Sequence, residues 1–192
     1  VNGVRKQQAI DILDVATGTG DVAIALSSIS SVRIEAVDLS TQMLAVQAKQ
    51  LDKLQLNERI KLQVADAEKL PFKEQFDAVT VAFGIRNFAN LDKGLSEMFR
   101  VLHPNGCLYI LETSRPKKFP MKQAHYIMSN VIIPLLGKVF AEDKSAYAYL
   151  GESATHFPDG KVMCNKLQEI GFTKVTHRPL SGGVVSLYVA QK

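Results

Sequence analysis

The sequence predicts an α/β domain on a mostly parallel seven-stranded sheet, with an antiparallel last strand and a helical insertion before the sixth strand. Three observations predict it. Apolar β-rich runs alternate with helical spacing over most of the chain, which implies a parallel sheet covered on both faces. Ile10, Ile12 and Leu13 lead into Asp14-Val-Ala-Thr-Gly-Thr-Gly-Asp21, a strand ending in small residues and two glycines just before a helix. Near the other end, two β-rich runs flank Pro179-Leu-Ser-Gly-Gly183, short enough for a hairpin return.

The elements follow in order. Strands are expected at Ile10–Ala16, Arg33–Asp38, Ile60–Ala65, Phe76–Ala82 and Gly106–Glu112, with helical spacing at Val22–Ser28, Thr41–Leu54 and Leu91–Leu102. Asn105-Gly106, after Pro104, marks a turn into the fifth strand, because both residues tolerate positive φ. The last third breaks the rhythm: Phe119 to Phe140 is helical, apolar and Met-containing, carries Pro134, and does not fit a simple crossover. Residues 119–150 are therefore assigned to the insertion. A helix at Gly160–Ile170 follows, with Gly171 placed to cap its C-terminus. Strands at Thr173–His177 and Val184–Ala190 complete the sheet.

At 192 residues, 46% hydrophobic and 22% charged, the chain reads as one domain with a substantial core. The longest apolar run, Val131 to Leu136, is far too short to cross a bilayer, and no signal peptide is evident. Cys107 and Cys164, in a strand and a helix, read as buried free thiols, which suits a reducing cytoplasm. A net charge of +4, spread along the chain, does not indicate nucleic-acid binding but allows attraction to an anionic membrane surface. The chain opens on Val1, and a preceding N-terminal segment is expected.

Gly18-x-Gly20-x-x-Ala23 satisfies a dinucleotide fingerprint, so the loop alone leaves NAD and S-adenosylmethionine open. Asp38 ends the second strand, where a carboxylate can accept two hydrogen bonds from a ribose diol. Its other reading is a cap for the next helix, a role Ser40 fills better. The terminal antiparallel hairpin is not part of the plain dinucleotide-binding arrangement. In this the chain resembles the Rossmann-like fold of class I S-adenosylmethionine-dependent methyltransferases. The resemblance gives Asp66 the adenine amino group and the adjacent Ala67 backbone a ring nitrogen.

After the fourth strand comes Ala82-Phe-Gly-Ile-Arg-Asn87, and here the likeness narrows. Asp14–Asp21, Ala67–Phe72, Phe83–Asn87, Arg100–Gly106, Tyr147–Ser153, Phe157-Pro158 and Gly182–Val185 resemble motifs of the ubiquinone/menaquinone-biosynthesis C-methyltransferase family. Asn105 stands where that family usually has a glycine. The family's N-terminal helical segment, which closes over the cofactor in relatives, has no counterpart before Ile10, so a more open site is expected. The resemblance implies S-adenosyl-L-methionine as methyl donor, with S-adenosylhomocysteine as product. Asp14, Gly18, Thr19, Gly20, Asp38, Asp66, Ala67, Ala82 and Phe83 become the cofactor residues. Phe83 can set an aromatic face against the sulfonium or serve as a core aromatic.

The implied acceptor is a polyprenylated quinol, methylated at a ring carbon, with demethylmenaquinol preferred and a ubiquinone-pathway benzoquinol as the alternative. A phenol of this kind titrates near ~10, by analogy with tyrosine. The site must therefore stabilise a phenolate and align the ring carbon. Arg86 is the candidate at the quinol oxygen; it stays protonated and so is not the base. Asn87 would hold the same oxygen or a water. Asp143, Tyr147 and His156 are weaker candidates for a base. Four scattered histidines and two distant cysteines make no metal ligand set. The insertion would cover the isoprenoid tail with Met121, Ile127, Met128 and Phe140 among its apolar residues, or pack its own core. Arg115, Lys117 and Lys118 could meet lipid headgroups. The chain is thus expected to be cytoplasmic, peripheral at the inner face of the membrane, and compatible with a homodimer. Competing readings are another small-molecule methyltransferase, a non-catalytic cofactor-binding subunit of a quinone-synthesis complex, and, last, an NAD oxidoreductase.

Overall fold

The computed structural model describes residues 1–7, 10–116, 119–120, 122–123 and 157–192. The helical insertion lies largely outside the described residues. So do Lys117, Lys118, Met121, Asp143, His156 and the Tyr147–Ser153 motif.

The strands are β1 (Asp11–Val15), β2 (Arg33–Asp38), β3 (Ile60–Val64), β4 (Phe76–Ala82), β5 (Leu102–Thr113), β6 (Thr173–Leu180) and β7 (Val185–Gln191). They form one sheet in the order β3-β2-β1-β4-β5-β7-β6. The first five pair in parallel, and β7 runs antiparallel to both β5 and β6. The expected hairpin is present, turned by Ser181–Gly183.

Alternation along the strands divides the core in two. Ile12, Ile34, Ala36, Ile60 and Ala78 face one side, under Ala23 and Leu26 of α2 (Asp21–Leu26) and Leu51 of α3 (Thr41–Leu54). Leu13, Val15, Val37, Val79, Val81, Leu108 and Ile110 face the other. There Leu95, Met98 and Val101 of α4 (Leu91–Val101) and Met163 and Leu167 of α5 (Lys161–Ile170) cover them. β1 and β4, at the middle of the sheet, are buried on both faces, which is why they read as near-continuous apolar runs. Ser40 accepts from the Met43 N–H and caps α3, as expected, and Gly171 (φ 119°) caps α5.

Three features depart from the sequence reading. β5 starts at Leu102 rather than Gly106, because Leu102 still pairs with Phe76 before the register shifts. Asn105 (φ 68°) therefore marks an irregularity inside the strand and not a turn ahead of it. An unforeseen helix, α1 (Asn2–Gln7), buries Val4 in the second core and sets Gly3 against the Tyr109 ring. Cys107 and Cys164 are free, as expected, but half-buried; burial raises both thiols above their ordinary range.

Candidate active site

The strand order reverses between β1 and β4, so the loops at their carboxyl ends diverge and leave a crevice, the usual ligand position in an open α/β sheet. The sequence-predicted residues gather along this edge. Asp14 closes the inner part of β1. It is buried, and its two oxygens accept from Thr17 Oγ1 (2.6 Å) and Thr80 Oγ1 (2.5 Å). Burial, only partly offset by those hydroxyls, pushes its carboxyl from the ordinary 3.8 up to about 6. Asp14 thus braces the loop from below.

The loop is pinned to β2. The Thr17 N–H donates to Val37 O at 3.0 Å, and the Gly18 N–H donates to Asp38 Oδ2 at 2.8 Å. The other Asp38 oxygen accepts from the Ser40 N–H at 2.8 Å. Gly18 (φ 59°) and Gly20 (φ 89°) both take the left-handed conformation that favours glycine. A Cβ on Gly18 would meet none of the described residues within 4 Å, so among them this backbone lines open space. Beneath it, Gln47 of α3 is buried against Gly20 and its Nε2 reaches Thr17 Oγ1 at 3.4 Å. Thr19 bonds Asp21 (3.0 Å) at the exposed lip.

Beyond β3, Asp66 Oδ1 accepts from the Glu68 N–H at 2.8 Å, which leaves Asp66-Ala67 in a tight turn. α4 holds that segment in place. Glu97 accepts from the Leu70 N–H (2.8 Å), and Arg100 donates to Phe72 O (2.6 Å) and Leu70 O (3.0 Å). Glu68 in turn accepts from the N–H of Asn90, the cap of α4.

β4 ends at Ala82, and Phe83 (φ 56°) turns its ring outward, 43% exposed. Ala16, after β1, also has positive φ (50°), so two non-glycine residues in a costly conformation flank the crevice. Next to Asp38, Leu39 stands 71% exposed. This apolar wall escaped the sequence reading, although a leucine directly after a strand-ending acid was a visible signal. Asp38, the open glycine backbone and the apolar Leu39 and Phe83 suit a ligand with a ribose diol and a flat ring. S-adenosylmethionine has both.

Ile85–Asn87 forms a short 3-10 turn anchored by buried Ile85. Asn87 is exposed. Arg86 is not: its side chain is 14% exposed, and Nη1 donates to Glu112 Oε1 (2.5 Å) and Thr113 Oγ1 (3.1 Å). Glu112, at the end of β5, is fully buried and was missed in the sequence, where it reads as an ordinary strand-end carboxylate. Glu112 Oε1 also accepts from the Thr113 N–H (2.7 Å) and Oγ1 (3.1 Å), whereas Oε2 is buried with no hydrogen-bond partner among the described residues.

A different hollow, of about 300 Å³, lies at the amino ends of the strands, lined by Asp11, Arg33, Glu35, Arg59 and Lys61. None of the site residues above lines it, and it holds the Arg33–Asp11 ion pair.

Comparison with known proteins bears on the family and the fold. The model of the ubiE/COQ5 methyltransferase family matches residues 1–192. The demethylmenaquinone methyltransferase of Bacteroides fragilis is 45% identical over 194 residues, covering 100% of this chain and 79% of that protein. A ubiquinone/menaquinone biosynthesis C-methyltransferase of Photorhabdus laumondii is 37% identical over 190 residues, with 97% and 75% covered. Among solved structures, a SAM-dependent methyltransferase from Aquifex aeolicus superposes with TM-score 0.63 at 20% identity, over 95% of this chain and 81% of that one. Phosphoethanolamine N-methyltransferase 2 of Haemonchus contortus, solved with S-adenosyl-L-methionine, gives TM-score 0.68 at 18% identity, over 95% of this chain and 48% of that one. These two likenesses establish the fold. The chain belongs to the ubiE/COQ5 methyltransferase family.

Proposed function

We propose that this member of the ubiE/COQ5 methyltransferase family methylates a ring carbon of a polyprenylated quinol in quinone biosynthesis, with demethylmenaquinol as the acceptor. The observation that carries the reading is the meeting, along one sheet edge, of the Gly18–Asp38 cradle with the buried Arg86–Glu112 pair. The choice of naphthoquinol over benzoquinol is favoured by the relatives at 45% and 41% identity, both named demethylmenaquinone methyltransferase.

S-adenosyl-L-methionine, when bound, supplies an electrophilic methyl group. Asp38 would hold the ribose hydroxyls, and Gly18, Thr19 and Gly20 would line the amino-acid end, braced by Asp14. Asp66 and the Ala67 backbone would bind the adenine, while Ala82 and Phe83 border the reactive centre.

An aromatic carbon is a weak nucleophile until the neighbouring hydroxyl loses its proton. Arg86 then stabilises the phenolate, and Asn87 orients the same oxygen or a water beside it. Holding ring carbon and donor in line accounts for much of the remaining barrier. No helix among the described residues is long and apolar enough to cross a membrane. An isoprenoid acceptor therefore implies work at the membrane surface. Exposed Arg115 and the 80% exposed Phe119, where the chain leaves β5, suit a lipid interface.

The test is transfer of labelled methyl from S-adenosylmethionine to demethylmenaquinol and to the benzoquinol, each in detergent. Label in the naphthoquinol ring is the expected result. Label in the benzoquinol alone would reassign the acceptor, and cofactor binding without label in either would remove the enzymatic reading.

A further inference from the structure

Glu112 is a buried carboxylate with one oxygen fully used and one oxygen bare. Oε1 accepts from Arg86 Nη1 and twice from Thr113, while among the described residues Oε2 faces no donor. A buried charged acceptor left unmatched is costly and rare, and such groups recur where chemistry is done. Its position is suggestive in itself. Arg86 and Glu112 leave adjacent strands at the same carboxyl edge, and the Phe83 N–H donates to Leu111 O at 2.9 Å, so the loop bearing Arg86 is tied beside Glu112.

We propose that Glu112 Oε2 takes the hydroxyl proton of the bound quinol, while Arg86 receives the phenolate. The proposal rests on the quinol reading above. The O–H bond breaks, its electron pair stays on the quinol oxygen, and the proton forms a bond to Oε2. Arg86, released from an anionic partner, is free to pair with the new anion; the site's total charge does not change. This makes an otherwise uphill transfer from a weak acid feasible. After methylation the ring carbon loses its hydrogen as a proton to water and Glu112 returns its own to the oxygen. One proton is released per turnover.

The test compares wild type with Glu112→Gln on two prenylated naphthols, one ordinary and one carrying a ring nitro group that ionises it at neutral pH. Binding is read first, by calorimetry and without turnover. Wild type should prefer the neutral naphthol, and Glu112→Gln should shift the ratio of the two dissociation constants at least 10-fold toward the ionised one. In turnover, Glu112→Gln should lose at least 100-fold in kcat on demethylmenaquinol. An unshifted binding ratio, or kcat within threefold of wild type, overturns the proposal. Should Glu112→Gln not fold, Glu112→Asp keeps the charge and withdraws the oxygen by one methylene. A fall in kcat of at least 10-fold at unchanged S-adenosylhomocysteine affinity is then expected, and unchanged kcat overturns it. A wild type inactive on every quinol would instead sink the acceptor reading, which separates the two failures.

Discussion

A Cβ placed on Gly84 would lie 2.5 Å from the Cβ of Ala16, so the loop after β4 and the loop after β1 touch where only hydrogen fits. Carbon atoms pack at about 3.5–4.0 Å, and neither strand end has room to yield without moving the crevice walls. Gly84→Ala should therefore cost about 1–3 kcal/mol in urea unfolding and weaken S-adenosylhomocysteine binding. Adding Ala16→Gly should recover most of both, since it removes the opposing methyl and relaxes a positive φ. A double variant no more stable than Gly84→Ala would rule out the clash.

Asp14 makes stability depend on pH in an unusual direction. Its folded value, about 6, lies above the ordinary 3.8, so between the two the folded chain binds a proton that the unfolded chain does not. Stability from this group therefore falls as pH rises from about 4 to 6 and is level beyond. At about 1.4 kcal/mol per pH unit, the swing is roughly 3 kcal/mol. Asp14→Asn removes it. The stability of wild type relative to the variant should grow by that amount as pH falls from 6 to 4, and parallel profiles would contradict the assignment.

Asp38 couples loop to ligand. Asp38→Ala removes the acceptor for both the Gly18 and Ser40 N–H groups as well as the proposed ribose contact. Hydrogen bonds to charged groups contribute about 1.5–3 kcal/mol, so S-adenosylhomocysteine affinity should drop roughly 10- to 100-fold by calorimetry. NAD should give no heat with wild type.

The Arg86–Glu112 pair has separable structural and chemical roles. Arg86→Ala strands a buried carboxylate and should destabilise the fold by about 3–5 kcal/mol in thermal or urea unfolding. Arg86→Met combined with Glu112→Gln leaves no unmatched charge and should recover most of that loss. Turnover should stay low in both, while the double variant keeps its S-adenosylhomocysteine affinity within about threefold. Recovery of turnover together with stability would assign the pair a purely structural role.

Much of this was legible in the chain. β4 falls on the expected residues because a strand buried on both faces leaves a near-continuous apolar record, and β2 because Ile34, Ala36 and Val37 stand between Arg33 and the strand-ending Asp38. The glycine loop and Asp38 were legible because backbone geometry there restricts which residues fit. α1 was not, since six residues with one buried apolar side chain carry no helical period, and its burial against Tyr109 depends on the sheet. The start of β5 was hidden by His103-Pro104-Asn105, which has turn chemistry and lies in the register shift between the Phe76–Leu102 and Ala78–Cys107 pairs. Glu112 was invisible for a related reason. Burial and the partnership with Arg86, 26 residues away, exist only once β4 and β5 are side by side.

β7 is late in the chain but lies inside the sheet, between β5 and β6, and this shapes how the protein is made. Both of its edges are used, one by β5 and the other by β6, and Tyr188 seats in the core while its hydroxyl receives the Gly160 N–H. Until residues 185–191 have left the ribosome, Cys107–Thr113 of β5 is a bare strand edge in a nascent chain whose other strands have already emerged. Such an edge invites pairing with the wrong chain, and it stays open until the residues between Thr113 and Val185 have been made. Damage in β7 should thus be felt first as lost soluble yield, before any surviving molecule shows impaired chemistry.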